Sequence, residues 1–383
     1  MKEKNQQKKE NKIITIIIGL FPGFIAGVVI ISLLKWFYYD LSDELFILAA
    51  ICCILIAICA LIAGIAIHEA GHLIFGLMTG YKFSSYRIFS LMLLKNENNK
   101  FRLKRFKIAG TGGQCLMIPP DMKDGKFPST LYNFVCVIAN AIIGVVFFIL
   151  FLIFLNVKLL ALAMLIFSIT NITFAMANGI PMSASGVDND ARNAIAIKEN
   201  PAAMRAFWIQ MKINENVSKG VRLKDMPEEW FALPSEEQMQ NSMIASLAVF
   251  AANRLVDQKR FDEAEELMAK IINEDNATIM FYKQMLTCDR IYIELIGERR
   301  SEVIENMLDT NQKYFMKAMK KFPSVIRTQY AYELLLKRDA ETANIQMEQF
   351  ESISKKYPHQ SEIEAERELI DIIIKKSNYL NIK

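Results

Sequence analysis

Four apolar runs fill most of the first 180 residues of this 383-residue chain, and the remainder is charged and helix-like. The runs cover residues 13–35, about 45–78, about 130–155 and about 158–178. Each is long enough to cross the roughly 30 Å hydrocarbon core of a bilayer as a helix of about 20 residues. In lipid a backbone must satisfy its own hydrogen bonds, which favours helices for such segments. The expected fold is therefore mainly α: a polytopic membrane protein with about four transmembrane helices, a cytoplasmic β-hairpin insert and a soluble α-helical repeat domain.

Charge orients these spans. Residues 1–12 form a lysine-rich tail, and the run at 13–35 is too long for a signal peptide and has no small-residue cleavage site. A retained helix with a cytoplasmic N-terminus is expected. The segment 80–129 carries Lys82, Arg87, Lys95, Lys100, Arg102, Lys104, Arg105 and Lys107 against few acids, so it is expected on the cytoplasmic side too. An even number of spans then places the C-terminus in the cytoplasm. Lys-, Ile- and Asn-rich usage points to a bacterial plasma membrane. A net charge of +4 gives no argument for a nucleic-acid partner. Cys52, Cys53, Cys59, Cys115, Cys136 and Cys288 form no CxxC pair, so they read as small, buried, reduced residues.

Between the second and third runs, two apolar-alternating arms flank the polar turn Asn96–Lys100, which predicts a β-hairpin. The stretch "GTGGQCLMIPP" at 110–120 is expected to break regular structure, being rich in Gly and Pro. Residues 195–383 show helical periodicity, with a helix–turn–helix signature at 258–275. "KKFPS" at 320–324 and "KKYPH" at 355–359 recur 35 residues apart, close to the tetratricopeptide period. About three helix pairs are expected there, with a concave surface for a protein partner.

The chemistry concentrates in the second run. "GIAIHEAGHLIF" at 64–75 places His68, Glu69 and His72 inside an otherwise apolar span, where unpartnered ionisable groups are costly. On a helix His68 and His72 lie one turn apart on one face, a spacing that suits one zinc ion. Glu69 is turned about 100° from His68, where it can reach a metal-activated water rather than the metal. H-E-x-x-H is thus two ligands plus a general base, the metalloprotease arrangement. A catalytic zinc wants a third protein ligand. The fourth run ends in "ANGIPMSASGVDNDARNA" at 177–194, and counting about 20 residues across each span brings its end to the depth of His68, near the cytoplasmic boundary. Asp188 and Asp190 are the two candidates.

With "HEAGH", the basic hairpin-bearing segment and "NGIP…DND" quoted, the chain resembles the site-2 proteases, zinc intramembrane peptidases of the M50 class, over about residues 45–194. The resemblance implies one zinc per chain, a membrane-embedded protein or peptide substrate, the lipid bilayer as setting, and cleavage near the cytoplasmic face. The family's second motif is Asn-x-x-Pro followed by an aspartate ligand and usually a glycine; Asn178 and Pro181 match it. A longer family variant with a glycine midway, here Gly186, aligns Asp190, although Ala191 follows where a glycine is usual. The implied metal set is His68, His72 and Asp190, with Asp188 the alternative third ligand, Glu69 catalytic and Asn178 substrate-positioning. The resemblance also suggests that the hairpin's free edge pairs with an unwound substrate. Asn140 stands where the family often has Gly-Pro-x-x-Asn, but the Gly-Pro is absent and no role follows. The expected domains are the tail 1–12, a metallopeptidase domain 13–194 with insert 80–129, and a helical domain 195–383. A competing expectation is a non-catalytic membrane scaffold with a structural or vestigial zinc site, acting through its helical tail. Glu69 separates the two, since a structural site has no use for it.

Overall fold

The computed structural model describes residues 42–95, 100–106, 112–184 and 187–379, together with residues 27, 28, 32 and 35. The expected first span, 13–35, lies outside the described residues apart from those isolated positions. Among the described residues three helices are long and apolar enough to cross a membrane: Glu44–Met78, Tyr132–Ile153 and Lys158–Gly179. The chain divides into two compact units, Met1–Ile88 with Gly112–Met204, and Phe89–Thr111 with Arg205–Lys383.

In the first unit the second apolar run forms one helix, α1 (Asp43–Met78). Its 36 residues extend about 54 Å at 1.5 Å per residue, well beyond the hydrocarbon core. It packs against α2 (Ser129–Ile153) and α3 (Lys158–Gly179), which also pack on each other. Ala49, Cys53, Ala60, Leu162 and Ile166 form a buried cluster between α1 and α3. Outward, Ile47, Ile54, Leu55, Ile142 and Ile153 stay exposed, and so does Cys59, contrary to the burial expected for it. So much exposed apolar surface would drive aggregation in water and is matched by lipid. Since lipid is as apolar as leucine, close packing and polar ties must hold such helices together. Both occur. Asn140 Nδ2 donates to Gly64 O at 3.1 Å and to Asn171 Oδ1 at 2.9 Å, and Ser168 Oγ donates to Gly144 O at 2.8 Å.

Glycine sets the closest approach. A Cβ at Gly71 would lie 2.7 Å from Cys136 Cα, a backbone atom that cannot swing away. Gly71→Ala is therefore expected to force α1 and α2 apart and to destabilise the unit by about 1–3 kcal/mol. A Cβ at Gly76 would press most closely on the flexible end of Met117, at 2.8 Å, and reach the Tyr132 ring only at an ordinary contact distance of 3.5 Å. Thermal unfolding in detergent checks the contrast: equal midpoints for Gly71→Ala and Gly76→Ala would refute it.

The segment after α1 forms four strands, β1 (Lys82–Ile88), β2 (Leu91–Lys95), β3 (Phe101–Arg105) and β4 (Gly113–Ile118). Strands β1 and β4 pair antiparallel with Tyr86 opposite Cys115 and Ile88 opposite Gly113. This corrects the expectation of an irregular 110–120 stretch. The glycines there do not break the strand. They let it approach α1, because a Cβ at Gly112 would lie 2.9 Å from Ile65 Cδ1 and one at Gly113 would lie 2.6 Å from Glu69 Oε1. Cys115 and Met117, alternating along β4, are buried. Beyond α3, a two-residue pairing of β5 (Ser183–Ala184) with β6 (Val187–Asp188) leads into α4 (Asp190–Glu199).

In the second unit β2 and β3 form the expected hairpin, with Leu93 opposite Leu103; its tip, 96–99, lies outside the described residues. Lys104 Nζ donates to Tyr357 O at 3.0 Å and the Phe106 ring meets Tyr357 edge-on at 5.2 Å, which ties the hairpin to the C-terminal helices. Those helices are α5 (Pro201–Ser218), which the division between the units crosses, α6 (Ser242–Asp257), α7 (Phe261–Asn273), α8 (Met280–Ile296), α9 (Ser301–Met307) and α10 (Thr310–Ala318). They continue with α11 (Pro323–Ala331), a π-helical turn Tyr332–Lys337, α12 (Ala340–Ser354) and α13 (Gln360–Tyr379). The two recurring "KK-aromatic-P" stretches each lead into a helix, with Pro323 opening α11, where a missing N–H costs nothing. The core gathers Met268, Tyr292, Leu295, Ile326, Ile370 and Ile373. Arg327, fully buried among them, pairs with Asp289 and, at 3.0 Å, with Glu366, and its guanidinium lies 4.3 Å from the Tyr292 ring centre.

Candidate metal centre

Helical spacing stacks His68 and His72 on one face of α1, with ring centres 5.3 Å apart. The His72 ring has a partner on α2. His72 Nδ1 lies 2.9 Å from Tyr132 O; donating its proton there leaves Nε2 as the electron-pair donor. The Asn140 side chain lies near the His68 ring, but the buried His68 Nδ1 and the buried Asn140 Oδ1 each lack a hydrogen-bond partner. Tyr132 is itself stacked on Tyr81 at 4.8 Å and donates its hydroxyl proton to Cys115 O at 3.2 Å. The His72 ring thus rests on a braced wall rather than on mobile side chains.

Asp190 arrives from the opposite direction. It is the first residue of α4, and Asn189 before it folds the loop that delivers it. Asn189 Nδ2 donates to Ala177 O at 2.8 Å and Ile180 O at 2.6 Å, while its Oδ1 accepts from Met182 N and Arg192 N, both at 3.1 Å. One side chain therefore closes the end of α3 and caps the start of α4. Asp190 Oδ2 then sits 3.1 Å from His68 Nε2 and 3.9 Å from His72 Nε2. Burial alone would raise the Asp190 carboxyl, but the His68 hydrogen bond and the two imidazoles hold it below its usual range.

Cys136 completes the group. Its Sγ donates to Asp190 Oδ2 at 3.2 Å, and donor atoms of His68, His72, Cys136 and Asp190 all lie within 4.8 Å of one another. Nitrogen, oxygen and sulfur ligands about 2.0–2.3 Å from a tetrahedral zinc stand about 3.3–3.8 Å apart. The cluster therefore fits zinc with small adjustments of side-chain torsion. Asp188 lies outside it: Oδ1 pairs with Arg192 Nε at 3.0 Å. Asn178 is also outside, with Nδ2 donating to Phe174 O at 3.1 Å along its own helix.

Glu69 is buried beside the cluster without being part of it. It packs against Gly113 of β4, takes a hydrogen bond from the Cys115 backbone N–H and feels the charge of buried Arg87. Tyr86 locks this strand pair to the helix, donating its hydroxyl proton to Ala66 O at 2.6 Å.

Sequence reasoning passed over Cys136, Tyr132 and Asn189. A signal for the first was present: Asn133, Cys136 and Asn140 recur three and four residues apart in an apolar run, which puts one polar stripe on one helix face. Asn140 ties the ligand-bearing helix to α2 through Gly64 O, and because groups that orient a metal ligand typically affect metal affinity about 10–100-fold, Asn140→Ala is expected to weaken zinc binding by up to that factor. Competition with a chromophoric chelator measures it, and wild-type affinity would show that Asn140 has no hold on the ligands.

These features define a membrane-spanning protein with a partly buried His/Asp/Cys donor cluster beside a carboxylate. The chain belongs to peptidase family M50, whose pattern matches residues 56–359, well over half its length. Membership indicates a membrane-bound metalloprotease of a zinc-dependent family. No curated protein and no solved structure matches the chain.

Proposed function

We propose that the protein is a zinc-dependent intramembrane endopeptidase that hydrolyses a peptide bond of a membrane-embedded protein or peptide near the cytoplasmic face. The observation that carries this reading is Glu69, a buried carboxylate held by β4 beside the donor cluster but outside it. In this reading His68, His72 and Asp190 hold one zinc ion, and the Tyr132 carbonyl fixes the His72 ring. Zinc, when bound, lowers the pKa of water and polarises a carbonyl. Glu69 takes the proton from the attacking water and returns it to the departing amine. The Cys115 N–H keeps its carboxylate in place through both transfers.

A helical substrate hides its peptide bonds in its own hydrogen bonds and must be unwound to react. β4 ends its sheet, with no strand on its other side among the described residues; since Glu69 and Tyr132 already engage its Cys115 N–H and carbonyl, an opened segment would add there beside Glu69 only by displacing them. Asn178 would position substrate only by exchanging its bond to Phe174 O. The lysine-rich tail and basic insert support cytoplasmic termini in a bacterial plasma membrane, and the C-terminal helices would act as a tetratricopeptide-like array that recruits a protein.

Cys136 favours a second reading. Four protein donors make a closed centre of the structural kind, as a scaffold would have. Profiling new peptide N-termini in membranes from cells expressing wild type or Glu69→Gln separates the two. The peptidase predicts termini in or beside apolar spans with wild type only. Identical profiles would leave the scaffold.

A further inference from the structure

The helices of the second unit form an open cavity of about 550 Å3 with a basic rim. Four lysines line it, Lys313, Lys317, Lys320 and Lys337, against one acid, Glu333. Glu333 is already engaged, taking Lys337 Nζ at 3.2 Å. Lys313, Lys317 and Lys320 are exposed and form no ion pair among the described residues. They recur at i, i+4 and i+7 from α10 into the turn after it, so they share a face. Like charges at this spacing repel, a cost that a bound anion removes.

Two further features point to a ligand. Gln346 on α12 lines the same cavity, and its Oε1 is buried without a hydrogen-bond partner, a condition rare for buried polar atoms. The π-helical turn Tyr332–Lys337 forms another part of the wall, with Lys337 Nζ 5.0 Å from the Tyr332 ring centre; such irregular turns occur often at functional sites. Buried Ile291 and Met316 give the cavity an apolar lining.

A ligand that satisfies all of this carries anionic groups for the lysines, a hydrogen-bond donor for Gln346 and an aliphatic group for the lining. Phosphate groups have the charge but offer chiefly acceptors. An acidic peptide has all three. We propose that this cavity docks an acidic segment of a protein partner, with Asp or Glu side chains on Lys313, Lys317 and Lys320 and a backbone N–H on Gln346 Oε1. The proposal rests on the second unit alone, so it stands or falls separately from the peptidase reading.

The test uses the full chain in detergent and a short fluorescein-labelled peptide of alternating Glu and Leu, followed by anisotropy. Saturable binding is expected, weakened by added salt and by at least about tenfold when Lys313, Lys317 and Lys320 are all changed to Glu. Gln346→Leu should weaken it several-fold, while Lys375→Glu, outside the cavity, should not. The Gln-for-Glu version of the peptide should not bind. Absence of saturable binding would overturn the proposal, as would binding indifferent to the lysine reversals. Equal competition by ATP or inorganic phosphate would also overturn it, making the cavity a general anion site.

Discussion

Glu69→Gln is expected to retain about one zinc per chain while peptide cleavage slows about 10²–10⁴-fold, the usual contribution of a positioned proton carrier. The proposed reading separates the two functions in space. Glu69 lies outside the donor cluster, so in that reading its loss removes no metal ligand. Glutamine matches it in shape and still accepts the Cys115 N–H, so β4 should keep its place. Metal content by atomic absorption and cleavage by reconstituted protein are the two readings required. Loss of zinc together with activity would mean that Glu69 is a ligand. Full activity with zinc retained would exclude proton transfer by Glu69.

The second large effect is expected from the two aspartates. Asp190→Ala should leave well under one zinc per chain, because Oδ2 is the acceptor on which His68 and Cys136 converge. Asp188→Ala should leave zinc content unchanged, since it breaks only a pair with the half-exposed Arg192, worth about 0–1 kcal/mol. Circular dichroism of both variants guards against misfolding. Zinc lost from Asp188→Ala and kept by Asp190→Ala would reverse the assignment.

How much of this was legible in the sequence depended on whether the cause was local. The helices at 43–78, 129–153 and 158–179 follow from run length and hydropathy, and the hairpin from alternation around a polar turn. "HEAGH" stood out because ionisable residues in an apolar run demand a reason. Strand β4 was misread: Gly112 and Gly113 look like breakers, and only the approach of Ile65 and Glu69 shows why no Cβ can be there. Asn189 was equally hidden, because its worth lies in carbonyls at 177 and 180 that folding brings to it. Cys136 read as filler for the same reason: its neighbours come from two other elements.

The length of α1 carries a last implication. His68 lies 25 residues after Asp43, or about 37 Å along a helix rising 1.5 Å per residue. A helix so long behaves as a measuring rod: with its Asp43 end set at one water boundary, the depth of the histidines is fixed relative to the other. A thinner bilayer would lift the histidines into bulk water and a thicker one would submerge them among acyl chains. For the proposed peptidase, lipid thickness would then be part of the address that determines where along a spanning segment a cut can fall.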